Sequence, residues 1–112
     1  MSEKVYTRNS SGNVASLVAA SNPALLCGIS GYNAKATDQF IQIHDAASLP
    51  ADASVPVIVF EVTALTKFSI DYTSNPRPFS TGIIVCNSST EATKTIGSAD
   101  CQIDVTMKAK VR

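Results

Sequence analysis

One histidine, His44, is followed directly by Asp45, and this pair is the first candidate for metal or acid–base chemistry. A metal site needs three or four converging ligands, and the sequence offers no second histidine. Neighbouring side chains of a strand also point to opposite faces, so His44 and Asp45 cannot bind the same ion. We therefore interpret His44 as a structural residue at a strand end, and we expect neither a metal nor a cofactor.

Nucleophilic and glycosidase chemistry find equally little support. Ser30 lies between Gly28 and Gly31, which resembles a nucleophile elbow, but the second glycine comes one position too early and no helix follows. Asp71 and Asp104 fall on polar faces of alternating strands, and nothing brings two carboxylates to the roughly 5–10 Å separation that glycosidases use. The sequence therefore predicts a protein that is not an enzyme and has no catalytic residues.

The three cysteines, Cys27, Cys86 and Cys101, are widely spaced and lie within apolar strand patterns. Their number is odd and no C-x-x-C pair is present, so zinc and thioredoxin-type chemistry both lack their spacing. We expect three buried and unreactive thiols.

The elements that would position all these residues are strands, most clearly the one at residues 101–112. There, every odd-numbered residue is apolar or small and every even-numbered residue is polar or charged, a period of two that indicates an extended strand. Further strands are predicted at 24–33, 39–45, 55–62, 66–72 and 81–87, whereas 14–20 fits either a short strand or one turn of helix. In the segment 24–33, Gly28 and Gly31 permit a bulge or a close backbone approach.

Residues 55–62 and 81–87 are nearly continuous apolar runs, which indicates central strands, and 73–78 is predicted to be a turn. An isolated sheet would expose one face of these runs, so two layers are needed. The sequence thus predicts a single all-β domain, an antiparallel β-sandwich (jelly-roll-like or immunoglobulin-like) over residues 14–112. Residues 1–13 are expected to be a flexible N-terminal arm.

Composition limits the possible partners. Nine basic and nine acidic residues give a formal net charge of zero, which argues against nucleic-acid binding. Charged residues form 16% of the chain, against a typical share of about a quarter. We expect part of the surface to be covered by other copies or by a larger assembly; the alternative is a Ser/Thr/Asn-rich surface that stays soluble without charges. No segment has the length and hydropathy of a signal peptide or membrane span, so we expect a protein made in the cytoplasm that contacts no membrane.

Two segments are the candidate assembly contacts. In the arm, Val5 and Tyr6 are expected to anchor on a neighbouring subunit, with the arm ordering as it binds. On the last strand, Lys108, Lys110 and Arg112 share one face. This predicts either a patch for an acidic partner or a charged edge strand that resists aggregation.

Four segments of the chain resemble small virion proteins of tailed bacteriophages: residues 28–33 (GISGYN), 39–47 (QFIQIHDAA), 79–90 (FSTGIIVCNSST) and 96–100 (IGSAD). The likeness covers about residues 14–107. It implies a non-enzymatic structural protein of the phage particle, first a capsid cement or decoration protein on the head surface, made in the host cytoplasm. Such a protein would form a homotrimer and bind the major capsid protein. The alternative is a tail, neck or fibre module that binds a host receptor or glycan through loops such as 46–54 and 74–78.

Overall fold

A computed structural model describes residues 5–109 of the chain, and the regular elements in this part are all strands. In chain order they are β1 (Val5–Asn9), β2 (Ser16–Ala20), β3 (Ala24–Asn33), β4 (Gln39–His44), β5 (Ile58–Val62), β6 (Thr66–Asp71), β7 (Arg77–Phe79), β8 (Ile83–Ser88) and β9 (Cys101–Ala109). In this described part there is no helix of the length and hydropathy that a membrane span requires.

The strands form two antiparallel sheets that pack face to face. Their order is β1-β9-β3-β6 in the first sheet, where β7 also pairs with β3, and β2-β8-β4-β5 in the second. On one side of the sandwich β5 meets β6, with the rings of Phe60 and Phe68 5.7 Å apart. On the other side β1 lies next to β2. The predicted all-β antiparallel sandwich is confirmed.

The core lies between the sheets and is built from alternating inward side chains. On β9, Ile103, Val105 and Met107 are buried, as the period-two pattern predicted. Burying a Leu, Ile or Val side chain stabilises a fold by about 1.5–3 kcal/mol. The other strands contribute fully buried aliphatic residues: Leu26, Ile41, Ile43, Ile83 and Val85.

The strand β3 runs through the middle of the first sheet and departs from regular geometry at two points. Its register with β9 shifts between Leu26 and Gly28, a β-bulge of the kind that the glycines predicted. At Gly31, a Cβ atom would lie 1.9 Å from the Gln102 carbonyl oxygen and 2.5 Å from Cζ of Phe68. Gly31 is therefore required for the close approach of β3 to β9.

Three expectations about individual strands were wrong. The run at 55–62 is not a central strand, because β5 starts only at Ile58 and pairs with β4 alone among the described strands. The segment 73–78 is not entirely a turn, since β7 begins at Arg77 and pairs with β3. Pro78 fits there because an edge strand can leave one side without an N–H donor. Lys108 is not on an edge, because β9 has β1 on one side and β3 on the other.

The segment 14–20, for which both strand and helix were open, contains the strand β2. Residues 5–9, assigned to the arm by the sequence, form β1 and pair in register with β9 from Val5–Lys108 to Asn9–Asp104. Residues 1–4 lie outside the described part. The flexible arm itself stays a prediction.

Candidate assembly surface

The first candidate surface is the edge formed by β1. All five of its residues are exposed, and the large apolar side chains of Val5 and Tyr6 are 58% and 48% exposed. Tyr6 lies opposite Met107 and Arg8 opposite Val105, so Tyr6 and Arg8 share the inward face of the sheet. Val5 and Tyr6, the two predicted contacts in the arm, therefore lie at the open edge of the folded domain.

A groove of about 590 Å³ separates β1 from β2. Tyr6 and Arg8 line it from the first sheet, Val18 and Pro23 line it from the opposite side, and Met107 is also in the lining. Val18 is 38% exposed although it is aliphatic. The sandwich is thus open on this side, and we call the surface made by Val5, Tyr6 and Val18 the open edge.

A second apolar surface lies where the chain enters β5, at the opposite edge of the second sheet. Val55 and Val57 are 73% and 61% exposed. The Val57 nitrogen donates a hydrogen bond to the Ile43 carbonyl at 2.9 Å, so this backbone is fixed while its side chain faces outward. We call Val55 and Val57 the β5 patch. Because β2 and β5 are the two edges of one sheet, the open edge and the β5 patch lie on opposite sides of the sandwich.

Of the three basic residues predicted as contacts, the structure describes only Lys108. Lys108 lies on β9 between Val5 of β1 and Leu25 of β3. It is half-buried in the interior of the first sheet, so a charged edge at this position was wrong. Lys110 and Arg112 lie outside the described residues. Their role as contacts stays a prediction.

His44 and Asp45 point to different surroundings. His44 is buried, and its Nε2 atom lies 3.0 Å from Oε1 of Gln42. Burial, with a smaller effect of the Lys94 charge, lowers the pKa of His44 below its ordinary value. Asp45 accepts hydrogen bonds from Ser80 and from the backbone nitrogens of Thr81 and Gly82 at 2.8–3.2 Å. Partial desolvation opposes them, but these bonds lower the pKa of Asp45. The carboxylate therefore fixes the turn before β8.

Two long loops cover the outer face of the second sheet, a feature that the sequence reasoning missed. Lys94, only 3% exposed, forms an ion pair with Asp52 at 2.5 Å. The same loops exchange backbone hydrogen bonds, from Ala53 to Lys94 at 2.7 Å and from Lys94 to Ser54 at 2.8 Å. The Gln42 amide nitrogen lies within about 3 Å of the carbonyls of three residues in the second loop, Thr90, Glu91 and Thr93. This cover makes the outer face of β4 and β8 a second interior.

The sequence did carry a signal for that cover. On β8, both Ile84 and Cys86, which face outward, and Ile83 and Val85, which face the core, are fully buried. A run that is apolar on both faces needs a layer on each face. Here one layer is the first sheet, and the other consists of the loops at 46–57 and 89–100.

The remaining chemically capable residues are held apart. All three cysteines are buried and unpaired, as predicted; burial raises the pKa of Cys86 to about 11 and also raises that of Cys101. Asp104 accepts a hydrogen bond from Asn9. Ser30 lies mid-strand between Ser69 and Asp104. Within residues 5–109, no group of three or more His, Cys, Asp or Glu side chains could hold a metal ion.

No protein-family model matches the chain, and no curated protein matches it. Among solved structures, the coat protein of Tobacco streak virus is similar: the alignment covers 98% of this chain and 90% of that chain, with 16% sequence identity and a TM-score of 0.44. A likeness this weak transfers neither an activity nor a partner to the chain.

Proposed function

We propose that this chain is a non-enzymatic structural protein of a phage particle, most simply a capsid cement protein that associates with itself and binds the major capsid protein on the head. The observation that carries the proposal is the pair of exposed apolar surfaces at opposite edges of one sandwich, the open edge and the β5 patch. A cement protein needs two such surfaces, one for its own copies and one for the lattice. The resemblance of residues 28–33, 39–47 and 79–90 to small phage virion proteins supports the same role.

The scaffold suits this task because both surfaces belong to one packed body. The first sheet carries β1 through its pairing with β9, and the second sheet carries β5 through its pairing with β4. The buried aliphatic core joins the two sheets. A load applied at one edge therefore reaches the other through close-packed side chains, which have low compressibility.

We assign the open edge to self-association and the β5 patch to the capsid. Val5 and Tyr6 are the predicted subunit anchors, and both lie on the open edge. In this proposal β1, which pairs with β9 in the single chain, presents Val5 and Tyr6 to the neighbouring subunit. The sequence-based prediction is three copies, and a measurement of the mass of the assembly in solution would give this number.

The test mixes the purified chain with empty heads of the phage that encodes it and measures binding and the temperature at which the heads break. We expect the chain to bind and to raise that temperature. Val55→Ser and Val57→Ser should each weaken binding about fivefold, because each loses about 1 kcal/mol of apolar burial. Val18→Ser on the open edge is the matched control and should leave head binding unchanged.

Two results would overturn the proposal. Heads that neither bind the chain nor gain heat resistance would exclude a cement role. Adsorption of the purified chain to host cells would instead favour the tail, neck or fibre alternative. The predicted glycan loops are less suited to that alternative, since Arg77 covers the Tyr72 ring at 4.8 Å and Asp52 in the other loop is paired with Lys94.

A further inference from the structure

The outer side of β1 presents backbone hydrogen-bonding groups. The Ser10 nitrogen donates to the Ile103 carbonyl at 2.9 Å. Backbone groups of successive strand residues point to alternate sides, so Tyr6 and Arg8 also direct theirs towards β9. Val5, Thr7 and Asn9 therefore direct their N–H and C=O groups away from the sheet. Among residues 5–109, no strand lies on that side of β1.

From this edge we infer that two copies of the chain pair antiparallel along β1, about a twofold axis between their Thr7 residues. The inference rests on the proposed self-association, specifies its contact, and predicts two copies in place of the homotrimer that the phage resemblance implies. In this register Thr7 faces Thr7, Val5 faces Asn9 and Tyr6 faces Arg8 of the second copy. The residues with outward backbone groups then fall opposite one another, and three such pairs exchange about six backbone hydrogen bonds.

The side chains favour this register over its neighbours. Tyr6 opposite Arg8 allows the guanidinium to lie over the ring, a contact that Arg77 and Tyr72 already make within the chain. Facing Thr side chains are also a favourable cross-strand pair. A shift by two residues in one direction sets Arg8 against Arg8, and a shift in the other direction sets Tyr6 against Tyr6, which loses the contact between Tyr6 and Arg8. Like charges directly opposite are destabilising, so the register centred on Thr7 is preferred.

The pairing also covers the groove of the open edge. Tyr6 and Arg8 line the groove, and the second copy adds its own Tyr6 and Arg8 beside them on the same face. Five paired residues span only about 17 Å. The contact is thus small compared with the roughly 1,600 Å² of a standard interface. We expect a weak dimer in solution that a covalent trap captures.

Cysteine cross-linking tests the axis and the register together. Residues directly opposite in such a hydrogen-bonded pair have Cα atoms about 5.5 Å apart, so a short thiol-to-thiol cross-linker can join them without the closer Cβ approach that a disulfide needs. Thr7→Cys should therefore form a covalent dimer with this cross-linker, and the native cysteines do not compete because they are buried. Val5→Cys and Asn9→Cys should each stay monomeric, since equivalent positions lie roughly 13 Å apart. A mixture of these two variants should give the mixed dimer.

Proline substitution is the second test. Its result is the mass of the particles that each variant forms in solution, measured at the highest protein concentration that stays soluble. Thr7→Pro removes an N–H that points outward, so the fold should persist while the wild-type dimer is lost. Arg8→Pro is the control, because it removes an N–H directed at β9 and should destabilise the domain.

The outcomes separate the inference from the proposed function. A dimer with Thr7→Cys and with the mixture, but with neither single variant, supports the twofold pairing. An oligomeric mass without the Thr7→Cys dimer overturns the pairing and leaves self-association standing. A single-chain mass with no cross-link overturns both. If Thr7→Pro abolishes head binding and no dimer forms, β1 pairs with a strand of the capsid protein, and the inference is wrong.

Discussion

Replacing Gly31 by alanine should lower the free energy of unfolding by about 3 kcal/mol, the upper part of the range for inserting a methyl group into a packed site. The added Cβ would lie 1.9 Å from the carbonyl oxygen of Gln102 on β9. That oxygen belongs to the backbone of an interior strand, so it cannot rotate away as a side chain would. The second contact, with Cζ of Phe68 at 2.5 Å, strains the core as well. Relief requires β9 to move away from β3.

The matched control is Gly28→Ala, three positions earlier on the same strand. There the new Cβ would meet the Ile70 carbonyl oxygen at 3.2 Å, a tight contact that a shift of a few tenths of an ångström relieves. We expect a loss below about 1 kcal/mol. Urea unfolding gives both values, and in a thermal scan the Gly31 variant should melt about 12 °C lower.

The predicted clash is refuted if the free energy of unfolding of Gly31→Ala lies within about 0.5 kcal/mol of the parent value. An equal loss of stability in Gly28→Ala would refute it as well. The variant also bears on assembly, because β9 carries β1. A displaced β9 should lower the yield of the Thr7→Cys dimer as well as the stability. Normal dimer yield in a strongly destabilised Gly31 variant would mean that the β1 edge is independent of the sheet.

Three further predictions concern His44, Asp45 and the cysteines. As pH falls below 6.5, the free energy of unfolding should decrease. The pKa of His44 is lowered in the folded state, so the unfolded chain binds the proton more readily. In urea titrations, His44→Gln should make the free energy of unfolding depend less on pH in this range, and an unchanged dependence would contradict the prediction. Below pH 3.8 a further loss should appear, since hydrogen bonds lower the pKa of Asp45 and protonation breaks them; Asp45→Asn should reduce this loss without altering the slope nearer neutrality. The three thiols should react with an aromatic disulfide reagent only when the chain unfolds, because they are buried and the pKa of Cys86 is raised to about 11, and rapid reaction of the native protein would refute their burial.

The strands could be predicted where the sequence pattern is local and strong. Alternation at 101–109 gave β9 and its buried residues, and the glycines at 28 and 31 indicated the bulge and the close approach in β3. The strands β4 and β6 also lie within the predicted segments, and β8 extends one residue beyond the predicted 81–87. In each case a period of two or an apolar run fixes an extended chain and the side that faces the core.

Strand order could not be predicted, because it depends on pairings between distant residues. An apolar run at 55–62 indicates burial, yet Val55 and Val57 precede the strand and face outward. A lysine such as Lys108 is typical of an edge strand. Its strand is an interior one only because residues 5–9 pair with β9. The two loops that cover the outer face of the second sheet could not be predicted for the same reason, because the contact between Lys94 and Asp52 joins residues 42 positions apart.

The distribution of protective features among the edge strands explains why assembly is assigned to β1. Edge strands of soluble proteins are commonly blocked by proline, by a bulge or by charged side chains, especially lysine. Here β7 contains Pro78, β2 has a register shift after Val18, β6 carries Lys67 and β5 carries Glu61. In β1 there is no proline, lysine or bulge, and its single charge, Arg8, lies on the groove face. An edge left open in a chain with only 16% charged residues is better explained by a partner strand than by solvent.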